Sequence, residues 1–254
     1  PDLEQIERAV EAIFEAEKPV IYAGGGAINS NASKELFELN EILNIPVTNT
    51  LMGLGVYPGT DPRFMGMLGM HGTYQANMAM HNADLIIAIG ARFDDRITNT
   101  PKLFAPQAKI IHFDVDHSSV SKIIEANIAV FGQVKNSLKA IINTLNESKE
   151  DYDPKKIDVW KKQIAEWTAQ HGLKHDLYLS EGDENQILPQ QVVQHVYQIT
   201  KGDAYVTSDV GQHQMFAAQY YHFDEPRKWI NSGGLGTMGF GLPAAMGVKF
   251  AFPK

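Results

Sequence analysis

The chain has 254 residues, 44% of them hydrophobic, which is enough for one large domain or for one domain and part of another. It contains no cysteine, which excludes disulfides, thiolate metal ligands and thiol nucleophiles. A formal net charge of −8 with no Lys/Arg block argues against a nucleic-acid surface, and no apolar run approaches the ~20 residues of a membrane span.

Leu3, Ile6, Val10, Ile13 and Phe14 repeat at helical spacing over residues 3–17. Pro19 to Ala23 reads as a short apolar strand that runs into Gly24, Gly25 and Gly26. A helix is expected over about 32–43, with Leu36, Leu39 and Leu43 on one face, and a second strand over 45–50. Glycine-rich sequence extends to about Gly72, followed by a helix over about 73–81. Residues 84–90 and 109–114 read as strands; the first is apolar without alternation, as a parallel sheet requires. A helix over 134–145 follows. This alternation predicts an open α/β domain with a parallel sheet over residues 1–147.

Residues 148–185 read as a linker, with Trp160 and Trp167 packing on an amphipathic helix and a polar run at 180–185. A second α/β unit is expected over 186–254, with a helix over 189–200, strands at 204–208 and 227–231, and a helix from about Pro243. Two strands and two helices cannot bury a core alone, so further sequence is expected to complete it. The opening on Pro1-Asp2 and the ending at Phe252-Pro253-Lys254 read as cuts inside a longer protein. No signal-peptide layout is present, so a cytoplasmic protein, or an organellar one after processing, is expected.

Several stretches carry chemistry. Gly24-Gly25-Gly26 at a strand end suits either an anion or a plain turn. Arg92-Phe93-Asp94-Asp95-Arg96 is either a local ion-pair cluster or a guanidinium grip on an anion. Asp114, at a strand's carboxyl end, is placed to accept from ribose hydroxyls or is an ordinary strand-end acid. Gln212-His213-Gln214-Met215 follows another strand, where α/β ligands bind. Residues 233–245 hold Gly233, Gly234, Gly236, Gly239 and Gly241 around one large apolar residue, Met238, which has few neighbours and is free to press on a ligand. Gly234 to Gly239 also fulfils G-x-G-x-x-G, but the acidic residue that a dinucleotide site wants about 20 residues on falls beyond Lys254. His171 and His175 are spaced i, i+4 but lack an intervening Glu and a third ligand.

Asp209 to Met215, Asn231 to Ala245, Leu68 to Gly72 and Gly90 to Arg96 occur in an order that resembles the catalytic subunits of acetolactate synthase, a thiamine-diphosphate enzyme family of branched-chain amino-acid synthesis. The resemblance runs from about Lys18 to Pro253. It implies an FAD-binding central domain followed by the start of a thiamine-diphosphate domain. The FAD contacts it implies are Gly24, Gly25, Gly26, Thr50, Leu51, Met52, Leu68, Gly69, Met70, His71, Gly90, Ala91, Arg92, Asp95, Asp114 and Val115. Gln212 and His213 match positions at the thiamine diphosphate's phosphates, and Gly236 to Met238 match its aminopyrimidine contacts. Met238 matches the bulky residue that bends the cofactor into a V, and Arg96 is the candidate for the 2-ketoacid carboxylate.

The family's activating glutamate is expected upstream of residue 1 and its Mg²⁺-binding run after Lys254, so the isolated chain is expected to be inactive. The reaction implied is decarboxylation of pyruvate and joining of the remainder to a second 2-ketoacid, pyruvate or 2-ketobutyrate; FAD has no redox role in it. The family also implies an oligomer of catalytic chains, with a small regulatory subunit as a candidate partner. Rivals are a glyoxylate carboligase or pyruvate oxidase type of FAD-containing thiamine-diphosphate enzyme, a non-catalytic nucleotide-binding module for NAD or CoA, and a purely structural piece of an oligomer.

Overall fold

The computed structural model describes residues 1–148, 152–174 and 187–253. Helix α1 (Leu3–Glu15) starts where the Asp2 side chain accepts from the Glu4 N–H at 3.0 Å, and it buries Ile6, Val10 and Ile13. Strand β1 (Pro19–Ala23), helices α2 (Gly25–Asn29) and α3 (Ser33–Leu43), and strand β2 (Val47–Asn49) follow. Asn44 closes α3 in the left-handed conformation, and Asn40 ties the exit by accepting from the Ile45 N–H and donating to its carbonyl. Next come β3 (Phe64–Met67), α4 (Tyr74–Asn82), β4 (Leu85–Ile89), the short α5 (Asp95–Thr98), β5 (Lys109–Asp114), β6 (Ile128–Phe131) and α6 (Val134–Glu147).

The six strands form one parallel sheet in the order β3-β2-β1-β4-β5-β6. Val20 pairs with Ile86 and Ile86 with Ile110, and every residue of β1 and β4 is buried. Burial on both faces explains the unbroken apolar runs. Helices α1, α3 and α6 pack together, and α4 packs with β3 and α7 (Asp158–His171). The chain direction of the winding reverses between β1 and β4, and ligands of open α/β sheets bind outside the carboxyl ends of strands at such a point.

Two strands escape the sequence pattern. The glycine-rich stretch before Gly72 contains β3, in which Gly66 sits at φ +91°, and the loop after β5 contains β6. The tryptophans pack as expected: Trp160 is buried edge-on to Trp167 and donates its Nε1–H to the Pro19 carbonyl at 3.1 Å. Tyr152 donates to the Leu43 carbonyl and Lys156 to the carbonyls of Phe14 and Glu15. The described part of the expected linker is therefore fastened to the first sheet's helices. The polar run at 180–185 and His175 lie outside the described residues.

The second unit comprises α8 (Pro189–Thr200), β7 (Val206–Ser208), α9 (Gln212–Tyr220), β8 (Trp229–Asn231) and α10 (Gly241–Ala251), with β7 and β8 paired in parallel. It shares a small apolar core with the first: Leu54 and Met67 pack with Ala218, Tyr221, Phe223 and Trp229. Ile199, Leu242 and Phe250 remain largely exposed. Among the described residues no helix is long and apolar enough to cross a membrane.

Candidate functional site

The central strands end in a set of interlocked loops. The Gly24 N–H donates to the Ile89 carbonyl at 2.9 Å and the Gly26 N–H to the Gly90 carbonyl at 3.0 Å. A side chain at Gly24 would collide with the Gly90 carbonyl oxygen, and one at Gly90, where φ is +59°, would come within 2.6 Å of the Ala27 nitrogen. Gly24, Gly26 and Gly90 thus bring two backbones together, and Gly90 also needs the left-handed conformation. Gly25 stays partly exposed beside Met52.

Thr50 follows β2 and donates its N–H to the Ala23 carbonyl at 2.9 Å, which sets the single 3₁₀ turn Leu51–Gly53 against the end of β1. After β3, Leu68 is buried while Met70 and His71 are exposed. The Met70 N–H donates to the Arg96 carbonyl at 3.0 Å, and Asn77 makes a pair of hydrogen bonds to the Gly69 backbone. Two separate motifs are thereby joined.

Phe93 anchors the arginine motif. It is buried at φ +53°, tilted on Tyr22 and edge-on to His112. Ala91 is buried beneath it, whereas Arg92, Asp95 and Arg96 stand in solvent. Arg92 pairs with Asp94 at 3.2 Å and Arg96 with Asp95 at 3.5 Å. Pairs this exposed are weak, so either guanidinium can exchange its partner for an anion at small cost.

Asp114 ends β5 with its side chain mostly buried. Oδ1 accepts from the Asp116 N–H at 2.9 Å, and Oδ2 lies 3.7 Å from His112 Nε2. Burial opposes ionisation, but His112 and the Asp116 N–H outweigh it and hold the carboxyl below its usual range. Val115 beside it is exposed.

In the second unit Gln212 and His213 open α9 and are exposed, directly beyond the carboxyl end of β7. The loop after β8 carries Gly236 at φ +64° and Gly239 at φ +86°, with Met238 between them, 79% exposed. A Cβ at Gly234 or Gly239 would meet nothing within 4 Å, so this backbone is open to close approach. The two units meet along these loops: Gly233 lies against Met52 Sδ, and Gln219 Nε2 donates to the His71 carbonyl at 2.7 Å. The contacts described link the residues of the first unit into one loop system, and the loop of Met238 meets it at Gly233.

Asp209 was not among the candidates. It follows β7 and accepts from the N–H groups of Val210 and Gly239. The rule that marks Asp114, an acid at a strand's carboxyl end, would have marked it too. Among the described residues no group of three His, Asp or Glu side chains could hold a metal ion.

Residues 6–141 match the family model of the thiamine pyrophosphate enzyme central domain, and residues 209–254 that of the thiamine pyrophosphate enzyme C-terminal TPP binding domain. The chain is 51% identical over 250 residues to the acetolactate synthase isozyme 3 large subunit of Escherichia coli K12 and 54% identical over 253 residues to an acetolactate synthase large subunit of Buchnera aphidicola. Each match covers 98% of this chain and 43% of the relative. A chloroplastic acetolactate synthase of Nicotiana tabacum is 42% identical over 248 residues, 98% of this chain and 36% of that one. The chain thus spans about two fifths of the length of the curated relatives it matches. With the central-domain match covering more than half of its length and a parallel sheet to go with it, the chain belongs to the thiamine pyrophosphate enzymes.

Proposed function

We propose that the chain is part of an acetolactate synthase catalytic subunit, which decarboxylates pyruvate and joins the remainder to a second 2-ketoacid, pyruvate or 2-ketobutyrate. The observation that carries the reading is the identity of about half to acetolactate synthase large subunits along nearly the whole chain. The geometry is compatible with both organic cofactors. FAD would lie along the loops at 24–26, 50–52, 68–71, 90–95 and 114–115, which gather at the strand ends and leave Met52, Met70 and Val115 exposed. Thiamine diphosphate would rest on the open backbone of Gly234 to Gly239, with Gln212 and His213 toward its phosphates. Mg²⁺ ligands are expected outside this chain.

When bound, thiamine diphosphate supplies the nucleophilic carbon on which the ketoacid loses CO₂. The residues of this chain do the holding. Met238 presses on the cofactor between two left-handed glycines, and proximity of the reacting groups is what such a contact contributes. Arg96 offers a bidentate fork to the ketoacid carboxylate, and Arg92 serves the flavin. The site forms between catalytic chains, with a small regulatory subunit as a further partner.

A flavin absorbance spectrum with and without added FAD, read together with the melting temperature, tests the central-domain half. Flavin bands and a raised melting temperature are expected; NAD or CoA binding in place of FAD would replace the reading with a nucleotide-binding module. A protein of the relatives' length carrying this chain should convert pyruvate plus 2-ketobutyrate. Turnover of glyoxylate alone would point to a carboligase instead.

A further inference from the structure

We infer that Asp209 is a positioning residue that clamps the tip of the glycine-rich loop and so sets where Met238 stands; its consequence for the cofactor rests on the thiamine-diphosphate reading above. Three observations lead there. Both carboxylate oxygens of Asp209 accept from the Gly239 N–H, at 2.7 and 2.9 Å, and Oδ1 also accepts from the Val210 N–H at 2.8 Å. The other end of the tip is held by Ser232, whose carbonyl accepts from the Gly236 N–H at 2.8 Å and whose Oγ accepts from the Thr237 N–H at 3.1 Å. Between these anchors the tip has little else: Met238 is 79% exposed, and Gly239 has open space where a side chain would be.

Hydrogen bonds to an ionised carboxylate are stronger than neutral ones. The Val210 and Gly239 N–H groups also hold the Asp209 carboxyl below its usual range, so the clamp carries its charge at neutral pH. Gly241 presses the returning chain against this spot, because a Cβ there would come within 2.6 Å of the Asp209 nitrogen. Asp209 therefore joins the carboxyl end of β7 to the loop that leaves β8, and Met238 is the residue next to the joint. Glycines at 236 and 239 permit the bend but do not select one position; the clamp selects it.

The test is an NMR spectrum of the chain labelled with ¹⁵N and with ¹³C-methionine, which carries nine methyl reporters. In the unmodified chain the Gly239 amide, held by both carboxylate oxygens, is expected downfield and slow to exchange. Asp209→Ala should move it upfield and speed its exchange while the methyls of the buried Met65 and Met80 stay in place. Asp209→Asn keeps one acceptor oxygen and should fall between. Asp203→Ala, which removes an exposed carboxylate elsewhere in the unit, should change nothing at Gly239. Should Asp209→Ala also disturb Met65 and Met80, Asp209→Asn decides. A Gly239 amide indifferent to both substitutions overturns the clamp.

Titration of a protein of the relatives' length carrying this chain with thiamine diphosphate and Mg²⁺ forms the second arm, since the Mg²⁺ ligands are expected outside this chain. The Met238 methyl signal should shift in the unmodified protein, and Asp209→Ala should need roughly ten-fold more cofactor for the same shift, the scale of one lost charge-assisted hydrogen bond. Equal cofactor requirements overturn the positioning role. No response in the unmodified protein sinks the cofactor reading, and the positioning role with it, while the free-state spectra still decide the clamp.

Discussion

Gln219 Nε2 donates to the carbonyl of His71 at 2.7 Å, which ties the carboxyl end of α9 to a candidate flavin loop. The amino end of the same helix carries Gln212 and His213. Helix α9 is thus a strut about 10 Å long between the two proposed cofactor sites, from a rise of about 1.5 Å per residue. The bond is exposed, so Gln219→Ala should cost no more than about 1 kcal/mol. Its larger effect should be local: amide exchange at residues 69–72 rises, and α9, expected to exchange more slowly once FAD is added to the unmodified chain, should no longer respond to it. Unchanged exchange in both places would show that α9 carries nothing between the sites.

The glycines should divide sharply under substitution. Gly24→Ala drives a methyl into the Gly90 carbonyl, between two backbones that cannot yield separately. It should destabilise by at least about 1–3 kcal/mol, the range for overpacking, and abolish FAD binding. Gly234→Ala meets nothing within 4 Å and should leave the melting temperature within a degree or two, since surface changes usually cost under about 0.5 kcal/mol. Thermal melts of the two variants check this, and equal melts would mean the approach of α2 to β4 is looser than described.

That contrast also marks how far the sequence could be read. β1 and β5 were legible to the residue because long apolar runs have one meaning in a parallel sheet. β3 was not, because Phe-Met-Gly-Met lacks β-branched residues and its glycine looks like part of a loop. α5 is a single turn, too short for any periodicity. The candidate site residues could be placed at strand ends from order alone. What each glycine does could not be, because Gly24 and Gly234 differ only in what the fold brings beside them. Asp209 is legible as a strand-end acid by the rule that marks Asp114, but its partner is not: Gly239 is 30 residues away in sequence.

His222 lies at the seam between the units, with its ring edge-on to Tyr197, and the neighbouring Phe223 carbonyl accepts from the Gly59 N–H at 2.9 Å. Burial lowers its pKa, partly offset by Asp224 and Gly59. The unfolded chain therefore takes up this proton at a higher pH than the folded one. Stability should fall as pH drops through the ordinary histidine value and level off below the folded value. Urea melts between pH 8 and pH 5 should show the fall, and His222→Asn should flatten it. A fall of equal size in the variant would assign it to other groups.

Arg63 ties the entry of β3 to α3. Its guanidinium donates to both oxygens of Asp61, at 2.9 and 2.7 Å, and to the Asn40 carbonyl at 2.9 Å, and it lies over the rings of Phe37 and Tyr57. The Asp61 side chain is 10% exposed and that of Arg63 17%. Removing the arginine leaves a carboxylate in a site without room for full hydration. Arg63→Ala should cost about 3–4 kcal/mol, the lower part of the range for breaking a buried pair, because one edge faces water. Arg63→Lys should recover less than half of that, since a point charge cannot span Asp61 and Asn40 while lying flat on two rings. The arginine also holds the Asp61 carboxyl below its usual range. The stabilisation from the pair is therefore complete above the ordinary carboxylate value and is lost as pH falls through the folded one. Arg63→Ala should accordingly be least different from the unmodified chain at the acid end of a pH series of chemical melts. A gap between the two that is constant down to the acid limit would show that ring packing, not charge, is what Arg63 contributes.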